Sequence, residues 1–439
     1  MVTKKEKRIS KFKGAKIYQV FIDRFAGCLN EEYYSIEDLK KKRIYGNLID
    51  LIKKIDYIKS MDFDTIWLTP FYVNQPYGNH GYHVTNFNHV DPYFAFGNLD
   101  NKYNGNENKK QLEKKKNIGN PFEENDVFIE TKADEVLKKF VNKCHEKGIR
   151  VMMDFVPNHC HKDHPFFKKA LNNKKSSYRE WFYFNEENSQ QSYLKFLNID
   201  DLPKLNLGHR KVQKHLINST KKFLSYGIDA VRIDHCIGPK RKHLRKIIKK
   251  IHKKYPEVPF FGEILPFGCE HAPETVFGIK EKDLQVFKQK NYESIDYLDD
   301  IFLKYYNTID GVLDFSFFYY IDEMVSGYLK EEECREKLNH HFQKYMDKTK
   351  FLLIKHVDSH DQDRIMFRCY NNVKILQKAM DLLYEDYYER NDPLVVYYGT
   401  EDLMTQDDTI RRGDYGDYRC RLPMKFIFEN RINKRIKLN

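Results

Sequence analysis

Eight short runs of β-forming residues recur along this chain, and stretches with apolar residues at three and four spacing lie between them. The runs are AKIYQVF (15–21), TIWLTP (65–70), IRVMMDF (149–155), IDAVRID (228–234), VPFFGEI (258–264), GVLDFSF (311–317), FLLIKHV (351–357) and PLVVYYG (393–399). Leu48, Leu51, Ile52, Ile55 and Ile58 form one intervening helical stripe, and Val136, Leu137, Phe140, Val141 and Cys144 another. Strands that alternate with helices build a parallel sheet, and eight of them close a barrel. The expected fold class is therefore α/β, a (β/α)8 barrel with its site at the carboxyl ends of the strands.

Two connections are too long for simple turns. The first, 71–130, is aromatic and His-rich and then polar over 98–120, which reads as a solvated loop. The second, 157–208, follows the third strand and reads as a small excursion domain over the barrel mouth. The expected organisation is a barrel over 1–156, the excursion over 157–208, and the rest of the barrel over 209–439.

Four of the strand-like runs stop on acids: DFVPNH (154–159), VRIDH (231–235), FFGE (260–263) and HVDSHD (356–361). An apolar strand that ends on a carboxylate sets a charge at the rim of a sheet, where water and substrate reach it. Cleaving an acetal needs one acid to protonate the leaving oxygen and one carboxylate to meet the charge that develops on the sugar carbon. Asp234 and Glu263 end consecutive strand-like runs. Arg232, two residues before Asp234, lies on the same side of its strand and is expected to keep Asp234 ionised and oriented. Glu263 follows apolar residues and Gly262, so burial is expected to raise its pKa and suit it to acid catalysis.

Composition narrows the alternatives. Among 439 residues the chain has 31 Tyr and 32 Phe, which excludes a disordered polymer. The formal charge of +12 permits nucleic-acid contact, but lysines in many short runs among 64 acids read as solvated helix faces, and no nucleic-acid motif accompanies them. No apolar signal-peptide core follows the basic start, and no segment reaches the roughly 20 apolar residues of a membrane span. Eight scattered cysteines without a CxxC pair suit a reducing compartment, and Cys160 and Cys236 read as packing residues. The expectation is a cytoplasmic protein with neither nucleic acid nor membrane as partner.

As they stand, these segments resemble the signatures of the α-amylase family, glycoside hydrolase family 13. DFVPNH is similar to the first signature, GIDAVRID (227–234) to the second, GEI (262–264) to the third and SHD (359–361) to the fourth. LPKLN (202–206), GVLDF (311–315), YYGTE (397–401) and GYHVTNFNHVDPYF (81–94) extend the likeness, and LPKLN resembles the form in neopullulanase and cyclomaltodextrinase relatives. The resemblance implies Asp234 as nucleophile, Glu263 as general acid/base and Asp361 as a third carboxylate gripping sugar hydroxyls. It implies Arg232 as the group orienting Asp234, His159 and His360 as sugar hydrogen-bond partners, and Tyr82 as a stacking ring. Asp154 and Asn158 would support the site, Asn158 being a calcium ligand in many members.

The implied activity is retaining hydrolysis of α-1,4-glucans such as maltooligosaccharides, with no cofactor required for the chemistry. Two alternatives stand beside it: an α-glucan transglycosylase, and a non-catalytic glucan-binding barrel. Two departures from the family pattern matter. Ile237 and Gly238 stand where many members carry Lys and His, which puts a structural calcium in doubt. The chain has about 40 residues beyond Gly399, so the expectation is an eighth unit that is abbreviated or completed by a partner chain, a homo-oligomer included.

Overall fold

The computed structural model describes residues 3–28, 35–41, 43–75, 78–98, 130–185, 192–266, 269–285, 292–346, 350–412, 416–427 and 429. Part of the expected solvated loop over 98–120 lies outside them.

Eight strands close into a parallel barrel: β1 (Lys16–Val20), β2 (Thr65–Leu68), β5 (Arg150–Phe155), β8 (Ala230–Ile233), β9 (Phe260–Gly262), β10 (Gly311–Leu313), β11 (Leu352–His356) and β12 (Leu394–Tyr397). They follow one another around the ring in chain order, and β12 returns to β1 with Lys16 opposite Leu394 and Gln19 opposite Tyr397. Six of the eight are buried at every residue and the other two at all but their first, as parallel strands covered on both faces must be. Four shorter strands stand apart. β3 (Tyr72–Asn74) pairs antiparallel with β4 (Val84–Val90) in the connection after β2, and β6 (Phe184–Asn185) pairs with β7 (Ser192–Tyr193) in the connection after β5.

The helices bury the faces their sequence spacing marks. Lys132–Glu146 starts in a capping box between Thr131 and Asp134 and buries Leu137, Phe140, Val141 and Cys144. The 48–58 stripe is two helices rather than one, Leu48–Ile52 and Ile55–Ser60. The break falls where the Lys53 and Lys54 N–H groups turn back three residues, to Asp50 and Leu51.

The run 311–317 differs from the expected strand. Only Gly311–Leu313 is extended. The Asp314 side chain then accepts from the Phe317 N–H and caps the helix Phe315–Val325. A short apolar run carries no period that separates strand from buried helix, and the cap decides here.

Candidate active site

The site forms where β5, β8 and β9 end side by side. Asp154 pairs with Arg232 across β5 and β8, and Ile233 pairs with Gly262 across β8 and β9. One residue further, the Glu263 N–H donates to Ile233 O at 3.0 Å and the Asp234 N–H to Phe155 O at 2.8 Å, so the ladder carries both carboxylates to the rim. Gly262 lets the Ile309 and Cys236 side chains pack closely on β9, since a Cβ there would lie 2.6 Å from Ile309 Cδ1 and 3.0 Å from Cys236 Sγ.

Arg232 is the hub. Its Nη1 donates to Asp154 at 2.7 Å and to Asp234 Oδ1 at 3.1 Å, and its Nη2 pairs with Glu263 Oε1 at 2.6 Å. The guanidinium is 1% exposed, whereas the Asp234, Glu263 and Asp361 side chains are 10%, 13% and 33% exposed. Three carboxylates therefore open to the mouth while the cation that organises two of them stays beneath. Glu263 is also held by the His235 N–H, which donates to its Oε2 at 2.8 Å. His235 takes φ 40°, so the chain turns sharply just after Asp234.

A continuous set of contacts links this hub to the fourth acidic segment. The Tyr82 hydroxyl donates to Asp154 Oδ2 at 2.9 Å and sits 2.6 Å from His360 Nε2, and that nitrogen is 2.9 Å from Asp361 Oδ2. The Tyr82 and His360 rings lie parallel, 5.4 Å apart and 4° between planes. His360 is buried, with Gln19 on its Nδ1 at 2.7 Å. Trp67 beneath presents its ring to Arg232 at 5.5 Å.

His159 is buried against Phe196, centroids 4.7 Å apart, and Phe196 meets His235 edge-on at 4.7 Å. Burial, with His83 and Lys204 adding to it, pulls the His159 pKa down to about 3, so its ring is neutral. Among the described residues its Nε2 has no hydrogen-bond partner.

The surroundings of two residues differ from the sequence expectation. Burial pushes the Asp234 carboxyl well above the usual range; Arg232 opposes this, and Glu263, Asp154 and Asp361 reinforce it. One guanidinium shared among Asp154, Asp234 and Glu263 does not offset burial at Asp234. Glu263, expected among apolar groups, instead faces Arg232 and a backbone N–H. Burial also works against a charged Asp361, yet His360 and Arg421 hold it well below the usual carboxylate range.

The residues that a calcium ion would need do not fit one. Asn158 Oδ1 accepts from Lys204 Nζ, which also donates to Gly238 O at 3.1 Å. Calcium takes six to eight oxygens, and here the buried Lys204 amine, its pKa pulled down to about 7 by burial, already stands between these two. Gly238 permits the approach, since a Cβ there would lie 2.1 Å from Asn158 Oδ1. Among the described residues no three His, Cys, Asp or Glu side chains are grouped to hold a metal.

Sequence reasoning missed three of these contacts. Lys204 lies in LPKLN, which the sequence marks only as family-like, Arg421 lies beyond the eighth strand-like run, and their partners are distant in the chain. Gln19 did carry a signal, being a polar residue inside the strand KIYQV.

Carboxylates gathered on a buried arginine at the C-terminal mouth of a closed parallel barrel define the class of site. The family model for the alpha amylase catalytic domain matches residues 19–113 and 131–425, and the chain belongs to that family. It is similar to alpha-amylase 2 of Dictyoglomus thermophilum, 29% identical over 352 residues covering 80% of this chain and 49% of that protein. It is 23% identical to the intracellular maltogenic amylase of Bacillus subtilis over 88% of this chain and 54% of the relative. It thus spans about half the length of these relatives. Among solved structures, a cyclomaltodextrinase superposes with TM-score 0.69 at 20% identity, over 96% of this chain and 60% of that one. The alpha-amylase of Geobacillus thermoleovorans superposes with TM-score 0.64 at 22% identity, over 95% and 75%.

Proposed function

We propose that the protein is a retaining glycoside hydrolase of α-1,4-glucans, with Asp234 as nucleophile and Glu263 as acid/base. The observation that carries this is the state of Asp234: Oδ1 is fixed by Arg232, while Oδ2 is buried without a hydrogen bond from any of the described residues. That oxygen is the atom left for an anomeric carbon.

Continuing the β8–β9 register sets Asp234 opposite Glu263, and neighbouring strands lie about 4.8 Å apart. Retention calls for carboxylates about 5 to 5.5 Å apart, whereas inversion needs a wider gap for water. Asp234 Oδ2 attacks the anomeric carbon as Glu263 protonates the leaving oxygen. Glu263 then takes a proton from water, which attacks the same carbon and releases Asp234. Asp361, fixed by His360 and Arg421, accepts from sugar hydroxyls, and His159 Nε2 offers another contact. The names of the relatives, amylase and cyclomaltodextrinase, support a glucan as substrate. Their intracellular member and the unbridged cysteines support a reducing, cytoplasmic setting.

The test is a time course on maltoheptaose followed by NMR. Shorter oligosaccharides appearing first as the α-anomer are expected, and a β-anomer product would refute the assignment. Asp234→Asn should lower turnover on the order of a thousandfold or more while glucan binding persists.

A further inference from the structure

A second concavity lies beside the loop that leaves Asp234. It has a volume of about 700 Å³, and Lys240, Arg241, Lys242, Arg245, Lys280 and Lys282 line it. Among the described lining residues Asp283 is the single acid, and it is already matched by Lys304 at 2.9 Å and the Tyr297 hydroxyl at 2.7 Å. Two of the six cations reach neutral oxygens, Arg241 donating to Lys304 O at 2.6 Å and Arg245 to Thr308 Oγ1 at 3.3 Å. Among the described residues none of the six is in an ion pair.

Much of this charge is already contiguous in sequence, and the fold adds Lys280 and Lys282 to it. Between Asp234 and Glu257 the chain carries nine lysines and arginines and no acid. Helix Arg241–His252 begins in this stretch, and Lys240 gives it no side-chain cap, so its first N–H groups add positive potential. A second recess of about 410 Å³ includes Lys250 and Lys253 together with Arg210 and Lys211.

Like charges crowded into a recess repel one another until an anion enters. A neutral glucan leaves them uncompensated. A phosphate monoester carries close to two negative charges and three acceptor oxygens, which suit a cluster of arginine forks and lysine ammoniums. The recess also adjoins the carboxylate site. The Phe277 N–H donates to Gly238 O at 2.9 Å and the Gly278 N–H to Ile237 O at 2.8 Å, so the wall carrying Phe277 rests on the turn after Asp234. Lys240 is six residues beyond Asp234, at most about 22 Å along the backbone.

We propose that this cavity binds phosphate monoesters carried on the α-glucan, so that the protein selects phosphorylated chains over neutral ones. The inference rests on the hydrolase reading above and names its substrate class more narrowly.

The test compares phosphorylated amylodextrin with the same chains after phosphatase treatment, at low ionic strength. The expected result is a kcat/KM about tenfold higher on the phosphorylated chains, an advantage that inorganic phosphate removes while the rate on dephosphorylated chains holds. In the Lys280→Glu/Lys282→Glu double variant, both positions being exposed, the advantage disappears and the dephosphorylated rate stays within about twofold. Equal rates on both substrates would overturn the proposal. So would an advantage that survives the double variant, or melting shifts with inorganic phosphate without any substrate preference. If neither chain is cleaved but phosphorylated chains are still retained, and the double variant releases them, the hydrolase reading falls and the phosphoglucan site stands.

Discussion

Arg421 Nη2 lies 2.6 Å from Asp361 Oδ1, and the same side chain donates through Nε to the carbonyl of His360 at 2.7 Å. A residue beyond the last barrel strand thus fixes the acid that ends the fourth signature segment. Asp417 shares this guanidinium at 2.9 Å. Removing the guanidinium leaves Asp361 held, among the described residues, by His360 alone and its charge less compensated. A hydrogen bond to a charged group is worth about 1.5 to 3 kcal/mol, so Arg421→Ala should lower kcat/KM on maltoheptaose by about 10- to 100-fold. Arg421→Lys keeps the charge without the fork and should recover part of the loss. Unchanged kinetics in the alanine variant would remove Arg421 from the site.

Lys204 stands between Asn158 and Gly238, where the resemblance would place an ion. Chelator should therefore leave the melting temperature of the wild type unchanged. Lys204→Ala strands the buried Asn158 Oδ1, while Gly238 O keeps the Phe277 N–H, and should destabilise by about 1 to 3 kcal/mol, read as a lower denaturant midpoint. A melting temperature that drops in EDTA would show that an ion binds there after all.

The parts of this architecture that were legible in sequence are those where local pattern and chain direction agree. Asp234, Glu263 and Asp361 each follow an apolar strand, and strand ends are where a parallel barrel gathers its polar groups. Arg232 and Asp234 are two apart, so the strand period alone put them on one face. What stayed hidden depends on who meets whom across the chain. Nothing near Arg421 says that it will reach Asp361, and nothing near Lys204 says that it will fill the space between Asn158 and Gly238. The sharing of Arg232 among three carboxylates is likewise a property of three strand ends together. Burial, reinforced by the neighbouring charges of Glu263, Asp154 and Asp361, is why Asp234 sits above its ordinary range when Arg232 alone argued for the reverse. At 311–317 the apolar run was ambiguous between strand and helix, and Asp314 as a cap was the signal that separates them.

Asp154 offers a direct handle on Asp234. Both its oxygens contact Arg232 Nη1, at 2.7 and 2.9 Å, and its charge helps push the Asp234 carboxyl upward, after burial and Glu263. Asp154→Asn keeps the shape, removes a negative neighbour and leaves Arg232 with fewer claims upon it. Both changes favour ionised Asp234. The acidic limb of the kcat/KM profile should move to lower pH, even though the rate at the optimum falls as the Tyr82 contact weakens. An acidic limb that stays in place or moves upward would mean that Asp234 does not govern it.

His341 gives the fold a pH dependence separate from the site. Its Nδ1 lies 2.8 Å from Asp299 and its Nε2 2.9 Å from Asp314, all three side chains fully buried. Burial opposes a charged imidazole, yet the Asp314 and Asp299 carboxylates outweigh it and raise the pKa to about 10. A folded pKa above the unfolded value of about 6.5 means that the folded chain holds the proton more tightly. The resulting stabilisation is complete below about pH 6.5 and is lost as pH rises through about 10, a contribution on the order of a few kcal/mol. Urea unfolding across that window should show a falling denaturant midpoint. His341→Gln should start from a lower midpoint at pH 6 and lose most of the slope between pH 7 and 10, because glutamine cannot supply a charge between Asp299 and Asp314. A variant whose midpoint tracks the wild type across the whole range would show that this buried triad contributes nothing to the pH dependence of folding.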